Sequence, residues 1–271
     1  MARNRLRIRH VTYLSTNEAV YQEAHNRLIL SCEVGSKVHG LGTPDSDTDL
    51  MGVTVMPMED VLGLSPFQDL VWRSADGPSV RSGADDVELI IYSMSKYLRL
   101  AAAGNPSILM LLFAPSSAIR HCTPVGLELR GHRGMFVTRN AGKKFLGYAR
   151  AQRTRMVDSK AGVRAPRSNR PELVELHGFD TKFAMHMLRL GMQGNELMRW
   201  GDIEAPMDEA ARKYLLDVRA GRVPYELVLE RAEELERDLA TAIDSVDLPD
   251  KVDEAEFGRL SRRLHSMAWG L

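Results

Sequence analysis

The stretch EVGSKVHGLGTPDSDTDLMGV, residues 33–53, constrains the fold of this chain more than any other. An apolar run at residues 28–34 leads into Gly35 and Ser36, and ten residues later Asp47 and Asp49 open a second apolar run. Apolar runs of this length, separated by turn residues, predict two buried β-strands. Alternate residues of a strand face the same side of a sheet, so we expect the carboxylates of Asp47 and Asp49 to point at one place.

This arrangement favours a site for a metal ion and a phosphate. Two carboxylates suit Mg²⁺, which prefers carboxylates together with substrate phosphates. Gly35 permits a tight turn, and Ser36 can offer hydroxyl and backbone N–H groups to a phosphate at a helix start. A calcium loop that begins at Asp45 would need Gly at its sixth and Glu at its twelfth position, where this chain has Leu50 and Met56. A solvated turn is the other alternative, but it leaves the Gly-Ser spacing unexplained.

The order of a strand, Gly-Ser, a short helix and Asp-x-Asp on the next strand resembles the signature of the polymerase-β-like nucleotidyltransferase superfamily. The string GSKVHGLGTPDSDTDLMGV and the stretches at residues 92–115 and 177–201 are similar to one branch of it, the predicted nucleotidyltransferases of bacteria and phages. The resemblance covers residues 28–201. It implies a Mg²⁺-dependent transferase, with Mn²⁺ as the alternative ion. The implied donor is a nucleoside triphosphate, for which ATP is the default on base rates alone.

The resemblance also implies roles for individual residues. Asp47 and Asp49 would be catalytic, metal-binding carboxylates, and Gly35 and Ser36 would bind the nucleotide. The superfamily uses a third carboxylate on a neighbouring strand, often also as the base, and we expect Glu88 to be this catalytic and metal-binding residue.

The choice of Glu88 has alternatives. Asp86 lies on the same face of the strand predicted at residues 87–91 and is the second candidate. The superfamily more often has Asp at this position, and an ordinary acid at a strand entry is a further interpretation.

A second group of candidates is Lys182, His186 and Arg189, whose spacings of four and three residues place them on one face of a helix. Lys and Arg there can bind triphosphate oxygens, Arg through two hydrogen bonds at once. The resembled branch has the same Lys-x-x-x-His-x-x-Arg order, which implies that these residues bind the nucleotide. The alternative is a solvated stripe opposite the buried face of the helix.

The predicted fold class is α+β, with a small mixed-sheet nucleotidyltransferase domain followed by a helical domain. We expect the catalytic domain at residues 1–120 and a helical substrate- and nucleotide-binding domain at residues 121–271. No strand is predicted after residue 115, and Gly191 and Gly194 are expected weak points of a long helix. Strands are predicted at residues 28–34, 49–56, 69–72 and 87–91, and the later helices at residues 139–155, 179–199, 208–220, 225–244 and 253–269.

Composition limits the location and the partners. Lys and Arg number 36 and so do Asp and Glu, so no overall field favours nucleic acid or a membrane. Neither a signal peptide nor an apolar run of membrane-spanning length is visible, so we expect a cytoplasmic protein without a membrane partner.

The acceptor stays open between an RNA 3′ end, a small molecule and a protein side chain. Residues 139–170 hold ten Lys and Arg against one acid, which supports a tRNA- or RNA-modifying or toxin-like transferase as an alternative. A catalytically inactive relative that binds a nucleotide or nucleic acid is the alternative from another class.

Overall fold

The computed structural model of the chain describes residues 13–14, 18–64, 66–74, 83–161 and 170–271. The sequence also predicts a loop rich in Gly, Ser and Asp at residues 74–85 and a basic loop at residues 159–170, and most of each lies outside the described residues. No described helix has the length and apolar character that crossing a bilayer requires.

The described strands form one mixed sheet. They are β1 (Tyr13–Leu14), β2 (Leu28–Glu33), β3 (Thr48–Thr54), β4 (Asp69–Arg73), β5 (Val87–Ser93) and β6 (Ile119–Cys122). Their order in space is β1-β4-β5-β3-β2-β6. The central strands β3 and β5 run parallel, and the other neighbours are antiparallel.

The described helices precede, interrupt and follow this sheet, so the α+β class and the order of a mixed sheet followed by helices are confirmed. The helices are α1 (Glu18–Asn26), α2 (Gly35–Val38), α3 (Met58–Leu62), α4 (Met94–Ala102), α5 (Pro106–Phe113), α6 (Pro124–Gly131), α7 (Arg139–Lys160), α8 (Pro171–His177), α9 (Thr181–Trp200), α10 (Glu209–Arg219), α11 (Tyr225–Ser245) and α12 (Glu254–Trp269).

The two faces of the sheet bury different groups of residues. On one face Leu89 and Ile91 of β5 pack with Tyr21 of α1. On the other face Met51 and Val53 of β3 belong to the largest apolar cluster, which also includes residues of α4, α5, α7 and α9. Because side chains alternate along a strand, Asp49 shares this second face with Met51 and Val53. The start of β3 therefore points its carboxylate toward the helices.

The prediction that no strand follows residue 115 is wrong, because β6 pairs with β2 along the edge of the sheet. The strand consists of Ile119, Arg120, His121 and Cys122, and its two central side chains are exposed. Such an edge strand needs no apolar run, since the backbone of β2 supplies its pairing. It also lies across residue 120, where we placed the end of the catalytic domain, so the division at that residue stays a proposal.

The long helix α9 is unbroken at Gly191 and Gly194, which the sequence indicated as weak points. A Cβ atom at Gly194 would lie 2.7 Å from Leu239 Cδ2 and 2.8 Å from Phe145 Cβ, and one at Gly191 would lie 3.1 Å from Leu235 Cβ. Because glycine has no side chain, Gly191 and Gly194 allow α7 and α11 to approach the backbone of α9 closely. Asp180 caps the start of α9 by accepting hydrogen bonds from two backbone N–H groups of its first turn.

Candidate active site

The three predicted carboxylates belong to residues at the starts of β3 and β5. Asp49 is the second residue of β3, and Asp47 directly precedes that strand. The parallel register pairs Asp49 with Glu88, so both side chains leave the same face of the sheet. The Thr48 N–H donates to the backbone oxygen of Asp86 over 2.9 Å, which joins the two strand starts. The register thus brings a carboxylate from a distant part of the sequence next to the Asp-x-Asp pair.

Asp86, the alternative third carboxylate, is engaged elsewhere. Its side chain accepts hydrogen bonds from the Gly83 N–H over 2.7 Å and from the Ser74 hydroxyl over 2.9 Å. Both partners belong to the segments that precede β5 or follow β4, so the Asp86 carboxylate stabilises that connection. The geometry therefore favours Glu88 over Asp86.

Burial and like charge act together on Asp49. Burial, followed by the nearby carboxylates of Asp47 and Glu88, raises the pKa of Asp49 to about 6, against the opposing influence of Lys182 and Lys37. Clustered carboxylates of this kind repel one another when ionised, and a bound cation removes that repulsion.

The donor set fits a hard cation only in part. Asp47 and Asp49 supply carboxylate oxygens, the ligands that Mg²⁺ takes. Glu88, however, forms an ion pair with Arg73, in which Oε2 and Nε are 2.9 Å apart. Among the described residues, no three His, Cys, Asp or Glu side chains are gathered so that they could hold a metal ion. Asp47 and Asp49 thus fit the ion as they stand, and Glu88 would first have to leave Arg73.

Gly35 lies against the Asp49 carboxylate at the start of α2. Its φ is +70°, and an added Cβ atom would lie 1.9 Å from Asp49 Oδ2. The Val34 N–H also donates to the Asp49 backbone oxygen over 2.8 Å, which holds the turn against β3. Ser36 follows in the same helical turn, where its side chain is partly exposed. The Gly35 turn is therefore in direct contact with Asp49.

Helix α9 faces this group of carboxylates across a cavity of about 260 Å³, which we call the central cavity. Gly35, Asp49 and Glu88 line it from the sheet side, and His186 and Arg189 line it from α9. The structure therefore brings these two predicted nucleotide-binding residues to the same cavity as the predicted metal ligands.

Lys182 lies one turn earlier on α9 and is exposed. Desolvation of its ammonium group and the neighbouring Arg170 and Arg219 lower the pKa of Lys182. Asp47 and Asp49 act in the opposite direction, so the ammonium group is within electrostatic reach of both carboxylates. His186 and Arg189 thus line the central cavity, and Lys182 acts on its carboxylates electrostatically.

The sequence analysis missed two polar residues of the cavity, His39 and Gln193. His39 follows α2 and is 1% exposed, and its Nδ1 lies 3.0 Å from Gln193 Nε2 on α9. Burial, followed by Arg189 and His186, holds the pKa of His39 well below its usual value. The available signal was the spacing on α9, since Gln193 follows Arg189 by four residues and extends the same helical face.

His186 is also a neutral imidazole. Burial lowers its pKa to about 3, with Arg189 as the next cause. Burial alone lowers the pKa of Arg189 to about 10, which leaves its guanidinium charged at neutral pH. The α9 side of the central cavity thus combines one cation with neutral hydrogen-bonding groups.

A larger pocket of about 630 Å³ lies between the end of α9, α10 and α11. Glu196, Trp200, Glu204 and Tyr214 are among its lining residues, and none of the predicted site residues lines it. Size alone therefore does not identify the candidate active site.

Comparison with known proteins identifies a family and individual similar proteins. The model of RlaP, described as the RNA repair pathway DNA polymerase beta family, matches residues 10–266. An uncharacterized 38.9 kDa protein of Enterobacteria phage T4 is 28% identical over 143 residues, which are 52% of this chain and 40% of that protein. The chain thus spans about two fifths of the length of that relative.

A nucleotidyltransferase-like protein from Exiguobacterium sibiricum, known from a crystal structure, is 12% identical to this chain. The alignment covers 84% of this chain and 72% of that protein, with a TM-score of 0.29. A superposition at this level does not establish a shared arrangement of the whole chain.

Proposed function

Since the chain belongs to the RNA repair pathway DNA polymerase beta family, within the polymerase-β-like nucleotidyltransferases, we propose that it transfers a nucleoside monophosphate from a nucleoside triphosphate to an RNA end. One observation carries the proposal: the Gly35 turn, Asp49 and Arg189 line one cavity. Asp47 and Lys182 act electrostatically on Asp49 from beside it. RNA as the acceptor rests on the description of the family. Magnesium dependence rests on the carboxylate donor set.

The reaction exchanges one phosphorus–oxygen bond for another. A hydroxyl oxygen of the acceptor attacks the α-phosphorus, the bond to the bridging oxygen of the β-phosphate breaks, and pyrophosphate leaves with that electron pair. The hydroxyl proton passes to a base. Mg²⁺ held by Asp47 and Asp49 would supply activation of the attacking oxygen and neutralisation of charge on the pyrophosphate.

The residues of the sheet and of the adjacent Gly35–Ser36 turn would have separate roles in this reaction. Asp47 and Asp49 would hold the metal ion. Glu88 would complete the site or accept the acceptor proton after its carboxylate leaves Arg73. The N–H groups at the Gly35–Ser36 turn and the Ser36 hydroxyl are placed to donate to phosphate oxygens.

The cationic side chains supply charge that the metal does not. A triphosphate carries several negative charges, and the ammonium group of Lys182 interacts electrostatically with Asp47 and Asp49, which favours its binding to phosphates held there. Stabilising pyrophosphate as it leaves favours the transition state over the bound substrate. Loss of one charge-assisted contact costs about 1.5–3 kcal/mol, so Lys182→Ala should lower kcat/KM roughly ten- to a hundredfold.

A nucleotide-binding relative without transfer activity is the second candidate, and the Arg73–Glu88 ion pair favours it. A third carboxylate held by a cation on the adjacent strand does not contribute to a metal site. The two candidates predict the same binding and differ in turnover.

The test is incubation of the chain with each α-labelled triphosphate and RNA bearing a free 3′ hydroxyl, with Mg²⁺ or with excess chelator. We expect RNA labelling that requires Mg²⁺ and that Asp49→Asn abolishes without lowering the melting temperature, because Asn removes charge and keeps volume. Asp45→Asn is the matched control, since Asp45 is exposed in the preceding loop.

Two results would count against the proposal. Near-normal turnover by Asp49→Asn at saturating Mg²⁺ would exclude the metal assignment. Tight nucleotide binding without labelling of RNA or of any component of a cell extract would favour the inactive relative.

A further inference from the structure

The cations near the central cavity fall into two groups. Lys182 lies at the start of α9 beside Arg170 and Arg219, near the carboxylates that would hold the metal ion. Arg189 lies seven residues further on, about 10 Å along the helix axis. Phosphates bound at the metal site are therefore matched by the first group. Arg189, which lines the central cavity, is therefore available to another part of the ligand.

The surroundings of Arg189 are half apolar. Met51, Ile90, Met110 and Leu190 line the central cavity together with the polar groups of His39, His186 and Gln193, and with Pro106. Proteins bind a planar ring by packing apolar side chains against its faces and by forming hydrogen bonds from a few polar groups to its edge. A phosphate, by contrast, would leave these apolar walls without a partner.

Arg189 can donate hydrogen bonds to a ligand in the cavity. Among the described residues it is the only Lys or Arg that lines the cavity, and its side chain is partly exposed. A guanidinium has five N–H donors and no acceptor. A ligand that presents acceptors to this group would gain charge-assisted hydrogen bonds.

The neighbouring amide is already oriented. Gln193 Nε2 donates to His39 Nδ1 over 3.0 Å. That contact places the His39 proton on Nε2, and it leaves the amide oxygen of Gln193, one helical turn after Arg189, as an acceptor. The α9 side of the central cavity therefore offers a forked pair of donors and one acceptor.

Among nucleobases, guanine presents two adjacent acceptors, O6 and N7, and a guanidinium binds both at once. Adenine carries an amino donor where guanine has O6, so the same fork meets a donor. We propose that the α9 side of the central cavity binds the base of the donor nucleotide and that Arg189 selects guanine over adenine. The inference rests on the proposed function, names GTP as the donor in place of ATP, and assigns Arg189 to the base in place of the triphosphate.

The test is the affinity of the full chain, with Mg²⁺, for the non-hydrolysable analogues of the four triphosphates and for inorganic tripolyphosphate, measured by calorimetry. We expect the GTP analogue to bind about five- to a hundredfold more tightly than the ATP analogue, the range that one bidentate base contact gives. Tripolyphosphate reports on phosphate binding alone because it has no base.

Two variants separate the base from the phosphates. The Arg189→Gln variant should bind the GTP analogue only as tightly as the ATP analogue. Its affinity for tripolyphosphate should stay within about twofold of the wild-type value. Lys182→Ala should weaken all five ligands by a similar factor. Arg189→Lys, which keeps the charge and loses the fork, should also lose the preference for guanine, and thermal melting shows whether each variant is folded.

Several outcomes would overturn the inference. These are equal affinity for all four analogues, a preference for adenine, uracil or cytosine, and an Arg189→Gln variant that loses tripolyphosphate as strongly as GTP. Guanine-selective binding without transfer would refute the proposed function and support the inference. Transfer without a preference among bases would do the reverse, and failure of every nucleotide to bind would refute both.

Discussion

Replacement of Gly35 by alanine should lower catalytic activity far more than it lowers the stability of the fold. The new Cβ atom would lie 1.9 Å from Oδ2, 2.8 Å from Cγ and 2.9 Å from Cβ of Asp49. Carbon–oxygen contacts are comfortable only beyond about 3.4 Å, close to the optimum for non-bonded atoms. The Asp49 carboxylate must therefore move by more than 1 Å, away from the position that it shares with Asp47 and Glu88.

The two costs of this substitution have different sizes. An L-residue in the left-handed region costs about 1–2 kcal/mol, and Gly35 has φ of +70°. Displacement of a catalytic group by about 1 Å costs roughly a hundredfold in rate. We therefore expect Gly35→Ala to lower the free energy of unfolding by about 1–3 kcal/mol, and to lower kcat/KM by at least about a hundredfold.

Gly201→Ala is the matched control. Gly201 ends α9 with φ of +67°, and a Cβ atom there would meet nothing within 4 Å. It should show the conformational cost alone and keep its activity. Urea unfolding and the RNA-labelling assay measure the two effects on the same preparations.

A double variant tests the collision itself. In an Asp49→Ala background the nearest contact becomes the Cβ atom, 2.9 Å away. Gly35→Ala should therefore destabilise that background less than the wild type. The reasoning is refuted if Gly35→Ala retains full activity, or if its cost in stability is the same in both backgrounds.

Three further predictions concern the fold. Gly194→Ala should lower the free energy of unfolding by about 1–3 kcal/mol through overpacking. Its control is Gly147→Ala, which lies on an exposed helix face with open space and should raise the free energy of unfolding by about 0.5–1 kcal/mol. Equal shifts in the urea midpoint of the two variants would contradict the packing of α9. Ser93→Ala should cost about 1 kcal/mol because the hydroxyl caps α4, which chemical denaturation measures. Iodoacetamide should modify native Cys122 before Cys32, because burial raises the pKa of Cys32 to about 11; mass spectrometry showing the opposite order would place Cys32 outside the core.

The parts of the site that the sequence predicted are those set by short-range spacing. Gly35 and Asp49 are joined by one helix and one loop, and apolar runs on both sides define strands of known direction. The face of α9 was predictable for the same reason, since helical geometry alone places Lys182, His186 and Arg189 together. In each case the neighbours in space are close in sequence or are related by a fixed period.

The parts that escaped prediction depend on long-range pairing. Arg73 meets Glu88 only because β4 and β5 pair in one particular register, which no local pattern specifies. Gln193 meets His39 across 154 residues. A strand such as β6 has no apolar period, because its edge position leaves its central side chains exposed.

The same geometry explains why α9 can serve both stability and recognition. At about 100° per residue, Lys182, His186, Arg189 and Gln193 fall within one narrow stripe, and Gly191 lies on the opposite side of the helix. Gly191 determines how closely α9 packs against α11. The distance between these two helices in turn determines how far the polar stripe extends toward Asp49 and Glu88 on the sheet. Substitutions on the buried face, remote from any ligand, should therefore change nucleotide affinity together with stability, while Lys182→Ala, at the exposed end of the stripe, should change affinity alone.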